Sequence, residues 1–249
     1  MLRNLLCVCL AAALISTAAE AAETQRFELL SRTLIQGPAK TAAFFQAGLV
    51  LGTGGGIVVL SPADSLGSLS FITVEGIPNE IVVRGNIAFI AAMRGGLIVI
   101  DLSDPKKPRE IYNHRMKRAN TCSISGNYIF VADFHSRKLY TFELTNLLDP
   151  KLEETRKLHI PAISLTSDRD LLAVVTTRNA EIFRVQENGA LVRLSEVNSP
   201  VSLKKGLLKQ GILYLITSDG EVLRWNLGSP AKPRRLPSIT KEEIIDLAV

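Results

Sequence analysis

Residues 95–108 read GGLIVIDLSDPKKP. Leu97, Ile98, Val99 and Ile100 make an unbroken apolar run, Asp101 closes it, and a proline-rich turn with charges of both signs follows. A short continuous apolar run bounded by turn signals is how a strand covered on both faces reads. Asp101 marks the exit toward solvent. Asp104-Pro105 and Pro108 enforce a turn, because proline fixes φ and removes a donor while aspartate accepts hydrogen bonds from nearby amides.

The stretch belongs to a phrase that recurs. Aligned on their apolar pairs, GLVLGTGGGIVVLSPAD, NIAFIAAMRGGLIVIDLSDP, NYIFVADFHSRKLYTFELTNLLDP, DLLAVVTTRNAEIFRVQENG and GILYLITSDGEVLRWNLGSP begin at Gly48, Asn86, Asn127, Asp170 and Gly211. The step is 38 to 43 residues. Four phrases are preceded by a proline at similar phase, at Pro38, Pro78, Pro161 and Pro200. Each repeat reads as four short strands, which in the second are EIVVRG, IAFIAA, GLIVID and REIYNH, separated by turn residues. No segment carries a convincing amphipathic helix. A four-strand unit of this period, with central strands apolar at nearly every position, predicts an all-β chain. Its expected form is a β-propeller of four-stranded blades, with five repeats visible and an incomplete further blade. A β-sandwich or β-helix accounts less well for the period.

The phrase GGLIVIDLSDPKKP resembles the repeat of the LVIVD family: Gly-Leu, an apolar strand ending in Asp, then Ser-Asn/Asp-Pro and a second proline. Repeat two matches best. TNLLDP in repeat three and GSPAKP in repeat five match the turn only, and repeat four departs with QENGAL. The resemblance implies a bacterial-type exported β-propeller and carries over no catalytic residue. Repeats start near 38, 78, 119, 161 and 200, with a partial one from 240. RFELLSRTLIQG before the first resembles an outermost fourth strand, and KEEIIDLAV at the end resembles an innermost first strand. Either the chain is a truncated form of a longer propeller, the favoured reading, or five blades close and the tails improvise.

The first 21 residues combine Arg3, an apolar stretch from Leu5 to Ile15 and small residues at Ala19 and Ala21. That is the pattern of an export signal, with cleavage expected before Ala22 and a single propeller domain over 22–249. The apolar run is short for a helix crossing a bilayer core of ~30 Å, and no later run reaches that length. The expected location is exported, periplasmic or extracellular, with no membrane span in the mature chain. Signal removal takes Cys7 and Cys9 and leaves Cys122 alone, so no internal disulfide is expected and Cys122 reads as a core residue.

A net charge of +5 favours anionic partners in general but is too mild to argue nucleic acid. His114, His135 and His159 are isolated from one another, no metal site is indicated, and no cofactor is expected. GTGGG at 52–56 lacks the Gly-Lys-Ser/Thr of a phosphate loop and reads as a tight β-turn. Trp225 is the sole tryptophan, so the recurring signature of WD40 or quinoprotein blades is missing. One uneven feature remains. The turns between second and third strands and the connections between blades share one face of a propeller, and they carry Arg94, Arg115, Arg118, Arg137 and Arg178. The opposite face mixes signs, as in DPKKPRE. The expected function is a non-catalytic binding or scaffolding propeller that takes an anionic ligand or acidic protein patch on these arginines. The alternatives are a lyase or hydrolase with its site at the central funnel, or a structural piece of a larger assembly.

Overall fold

The computed structural model describes residues 38–60 and 68–238. The export signal, the Ala22 cleavage point and the two flanking strand-like segments lie outside the described residues. Among the described residues twenty strands form five antiparallel four-stranded sheets, each in simple sequence order. Blade 1 holds β1 (Ala39–Phe45), β2 (Gly48–Thr53), β3 (Gly56–Leu60) and β4 (Ser68–Ile72). Blade 2 holds β5 (Glu80–Arg84), β6 (Ile87–Ala91), β7 (Leu97–Asp101) and β8 (Arg109–His114). Blade 3 holds β9 (Ala119–Ser125), β10 (Tyr128–Asp133), β11 (Lys138–Glu143) and β12 (Lys151–Lys157). Blade 4 holds β13 (Ser164–Asp168), β14 (Leu171–Val175), β15 (Asn179–Val185) and β16 (Leu191–Asn198). Blade 5 holds β17 (Leu203–Lys209), β18 (Ile212–Thr217), β19 (Val222–Asn226) and β20 (Arg234–Leu236).

The central strands follow their composition. β2, β3, β6, β10 and β14 are buried along their whole length, and β7 is buried until Asp101. Alternate residues serve alternate interfaces. Phe89 and Val99 pack toward Ile129, Val131 and Phe142 of blade 3, whereas Ile90, Ile98 and Ile100 pack toward Val50, Ile57 and Val59 of blade 1. In blades 1 to 4 the central strands thus contribute to two cores at once. The outer strand β12, by contrast, is mostly exposed.

The turn after β7 is held by backbone contacts. Asp101 Oδ1 accepts from Ser103 N at 2.9 Å, and Asp104 Oδ1 from Lys106 N at 3.0 Å. The hydroxyl and amide of Ser103 hold the Asp101 carboxyl below its ordinary range, aided by Arg109. Asn146, Asn188 and Asn226 make the same side-chain-to-amide turns on later blades, accepting from Leu148, Ala190 and Gly228. A turn chemistry that recurs around the blades is scaffold.

The innermost strands, β1, β5, β9, β13 and β17, pack in sequence, each on the next. Their channel-side edges would leave backbone groups unpaired, and side chains of the adjacent blade meet them. Ile81 N donates to Thr41 Oγ1 at 3.2 Å, Cys122 N to Glu80 Oε2 at 3.0 Å, Leu165 N to Thr121 Oγ1 at 2.9 Å and Leu208 N to Thr166 Oγ1 at 2.8 Å. Above this row, Asn79 Nδ2 donates to Asn120 O at 2.6 Å and Asn120 Nδ2 to Ile163 O at 3.1 Å. Below it, Arg84 donates to Gly126 O, Ser125 Oγ donates to Arg169 O at 2.6 Å, and Asp168 Oδ2 accepts from Gly211 N at 2.8 Å. The preceding blade supplies the side chain and the following blade the backbone group. Three contacts run the other way: Ser167 Oγ on Ile124 O at 2.7 Å, and the weak Cys122 thiol contacts on Glu80 O at 4.0 Å and Phe89 O at 3.9 Å.

Two outcomes follow from this packing. Ile98 and its neighbours are fully buried between blades, so Ile98→Ala leaves a cavity and costs about 2–5 kcal/mol in urea denaturation; a loss below about 0.5 kcal/mol would contradict a buried strand. At the blade 2–3 interface His114 lies edge-on to Phe142, ring centroids 5.1 Å apart, and near Tyr140 at 6.0 Å. Burial lowers its pKa. The folded state therefore favours the neutral ring. Its contribution is present above the ordinary histidine value of about 6.5 and is lost as pH falls through the lowered folded value. The unfolding midpoint should drop more between pH 7.5 and 5.5 in the wild type than in His114→Phe.

Candidate functional site

Backbone hydrogen bonds define one loop-bearing face. Met93 and Ala119 exchange bonds at 2.9 Å in both directions, Phe134 N donates to Arg118 O at 2.9 Å, Leu158 N to Arg137 O at 2.8 Å and Ser199 N to Arg178 O at 2.9 Å. Each bond ties a turn between second and third strands to a connection that joins two blades. The chain can run this close because Arg94 is followed by two glycines. A Cβ on Gly95 would stand 1.9 Å from Glu75 O, and one on Gly96, at φ +81°, 2.0 Å from His114 O.

All five expected arginines are exposed and stand on this face. Arg94 lies in the β6–β7 turn, Arg115 and Arg118 in the β8–β9 connection, Arg137 in the β10–β11 turn and Arg178 in the β14–β15 turn. The bonds above place the first four in one continuous network across blades 2 and 3, and Arg178 on the separate turn of blade 4. Turns between second and third strands stand mid-blade. The channel rim is formed instead by the starts of the inner strands, where Asn79 and Asn120 make their amide ladder. Arg94, Arg137 and Arg178 thus lie on mid-blade turns, whereas Arg118 directly precedes Ala119, the first residue of β9, beside the rim residue Asn120.

Local contacts differ among the five. Arg115 pairs with Glu75 at 3.0 Å, with both side chains at least half exposed. The Arg118 guanidinium lies 5.0 Å from the Phe134 ring centroid, which fixes its plane while its donors stay at the surface. Among the described residues Arg94, Arg137 and Arg178 make no ion pair. On the opposite face Arg109 pairs with Asp101 at 3.2 Å and Arg184 with Asp170 at 3.1 Å.

The residue that holds the basic loops was not singled out by the sequence. Asp133, 1% exposed at the end of β10, accepts from His135 N and Ser136 N through Oδ1 and from Lys117 N through Oδ2, each at 2.9 Å. One buried carboxylate thus fixes both loops that carry Arg115, Arg118 and Arg137. Its position at the end of an apolar strand, two residues before His135, is the only signal in the sequence. Cys122 is buried, and burial followed by the nearby Glu80 pushes its thiol well above the ordinary value. It is a packing residue. Among the described residues no group of three His, Cys, Asp or Glu side chains is placed to hold a metal ion. His135 and His159 are exposed.

Comparison with known proteins agrees with this architecture. The chain carries LVIVD repeats: the family model described as "LVIVD repeat" matches residues 75–114 and 118–137, blade 2 and the first half of blade 3. No curated protein matches the sequence. Among solved structures it is similar to a protein from Lactobacillus plantarum, with TM-score 0.74 at 13% identity over 85% of this chain and 73% of that one. It is similar also to the beta-propeller domain of Cps50 (Swd1) from Myceliophteria thermophila, with TM-score 0.66 at 10% identity over 83% and 75%. A third likeness is to the computationally designed Ika8 protein, with TM-score 0.65 at 15% identity. There the match covers 84% of this chain but spans only 64% of the designed one. At these identities the likeness is one of fold. The protein is a β-propeller repeat protein.

Asp133→Ala should cost roughly 2–4 kcal/mol, because a hydrogen bond to a charged group contributes a net ~1.5–3 kcal/mol and the three part-buried amides that lose their acceptor recover part of that from water. Asp133→Asn, which keeps one oxygen, should cost less. Urea denaturation gives the magnitudes, and faster amide exchange confined to Lys117, His135 and Ser136 would locate the effect.

Proposed function

We propose that this protein is an exported, non-catalytic binding or scaffolding propeller that takes an anionic partner on the upper loops of blades 2 and 3. The observation behind the reading is the single hydrogen-bonded network carrying Arg94, Arg115, Arg118 and Arg137, pinned by Asp133. Arginines on a rigid support present forked donors to carboxylate or phosphate with little ordering cost. The exposed Arg115–Glu75 pair is of a kind worth little, so a partner's carboxylate can displace Glu75. An acidic protein patch fits this spread better than a small ion, because the cations are exposed on the turns and the connection of two adjacent sheets.

Export rests on the signal-like segment and puts Ala22 at the mature terminus. No observation favours the alternative of a lyase or hydrolase site at the funnel, where the rim groups are the Asn79 and Asn120 amides.

The two faces provide an internal control. Replacing Arg115 and Arg118 with Ala should weaken binding of an acidic polypeptide such as polyglutamate far more than replacing Lys106 and Lys107, which carry equal charge on the opposite face. Raising the salt from about 0.05 to 0.5 M should erase the difference, because the Debye length shrinks severalfold. Equal losses from the two pairs at low salt would reduce the effect to net charge and remove the site.

A further inference from the structure

The interface between blades 3 and 4 breaks a rule that the others keep. Where second and third strands pair near the upper end, Ile90 faces Ile98 in blade 2, Val131 faces Tyr140 in blade 3 and Leu215 faces Leu223 in blade 5. These six side chains join the apolar layers between blades. In blade 4 the corresponding pair is Val174 and Glu181, and the residue opposite Glu181 on the outer strand is Glu196. Like charges directly opposite across a sheet are destabilising. Arg193 relieves the clash by bridging the two, with Nε 3.2 Å from Glu181 Oε1 and Nη2 against Glu196 Oε2. Asn179 Nδ2 donates to Glu196 Oε1 at 2.8 Å.

A cavity of about 360 Å³ opens there, walled by Leu158, Ile160 and Val174 and floored by Glu181, Arg193 and Glu196. That volume lies in the range of small-ligand sites. Two carboxylates against one guanidinium leave the floor one negative charge in excess when His159, which also lines the cavity, is neutral. Both Glu196 oxygens are engaged, whereas Glu181 Oε2 accepts no hydrogen bond among the described residues. A local departure from an otherwise consistent packing pattern is where a functional site is expected.

We infer that this cavity binds a primary alkylammonium group, with the ammonium donating to Glu181 and the alkyl stem lying along Leu158, Ile160 and Val174. The pocket thus has the opposite preference from the arginine loops and does not depend on them. A free amine and a partner's lysine side chain present the same chemistry, and the probes separate them.

Isothermal titration and amide shift mapping with n-butylammonium, butyrate and 1-butanol test the assignment. Butylammonium should bind and shift Thr176 and Asn179, while the other two should not. Glu181→Gln should weaken it by about tenfold or more, a loss of ~1.4 kcal/mol. Glu181→Leu, which restores the apolar residue of blades 2 and 5, should abolish binding and raise the thermal midpoint. Tighter binding of a lysine-containing peptide than of butylammonium would assign the site to a protein partner, and the reverse order to a free amine. Butyrate or butanol binding as well as butylammonium, unchanged affinity in Glu181→Gln, or no binding to the wild type would each overturn the proposal. None of these results bears on polyglutamate binding at Arg115 and Arg118.

Discussion

A radial stack of small sheets has one recurring weakness, the free edge of each innermost strand. The molecule meets it with side chains of the neighbouring blade. The Thr41, Glu80, Thr121 and Thr166 side chains accept from the next blade's amides, with an Asn ladder above and Arg84 and Ser125 below. Without those partners each amide would carry a desolvation cost of about 1–3 kcal/mol. Apolar layers between blades supply the bulk attraction, but they are non-directional and would tolerate sliding of one blade on another. The lateral bonds fix the register that Phe89, Phe130 and Phe142 then fill.

That fixed register lets the two faces differ. The lower turns are built from Asx contacts that repeat with little change, so they carry geometry and not chemistry. On the upper face the connections cross from the rim to the axis over their neighbours, and single residues such as Asp133 can couple two of them. Loops tied in this way present cations at set positions, which a flexible basic tail cannot do.

Much of the fold was legible because burial on two faces leaves a plain trace. Runs such as Leu97 to Ile100 are apolar without alternation, and turn residues end them at a constant phase. The lateral bonds left no comparable trace. Thr121 and Leu165 are neighbours only after the blades are stacked, and a threonine in a strand looks ordinary. The five arginines could be assigned to a face from strand order, yet the bonds that tie their loops together could not, because Met93 and Ala119, or Arg118 and Phe134, meet only in the folded chain. Cys122 was read correctly as core. Asp133 was missed because a strand-terminal aspartate resembles the solvent exit at Asp101, while its three amide partners come from two separate loops. Glu181 could have been noticed by stacking the repeats, where it falls in the column of Ile98, Tyr140 and Leu223.

The lateral bonds also have a sense of direction. Apart from the contacts of Ser167 and Cys122, the side chain belongs to the earlier blade and the backbone group to the later one. The array is therefore not a chain of equivalent handshakes, since each blade acts as template for its successor more than for its predecessor. Nearest-neighbour coupling of this kind makes the array behave as a row of linked units, but the linkage is lopsided. Loss of the Thr121 hydroxyl unties the Leu165 amide of blade 4 and the Glu80 contact of blade 2, whereas loss of Thr166 is felt directly in blade 5 alone. In a chain made from its N-terminus onward, each new blade thus meets an edge already furnished with the groups that its own backbone needs.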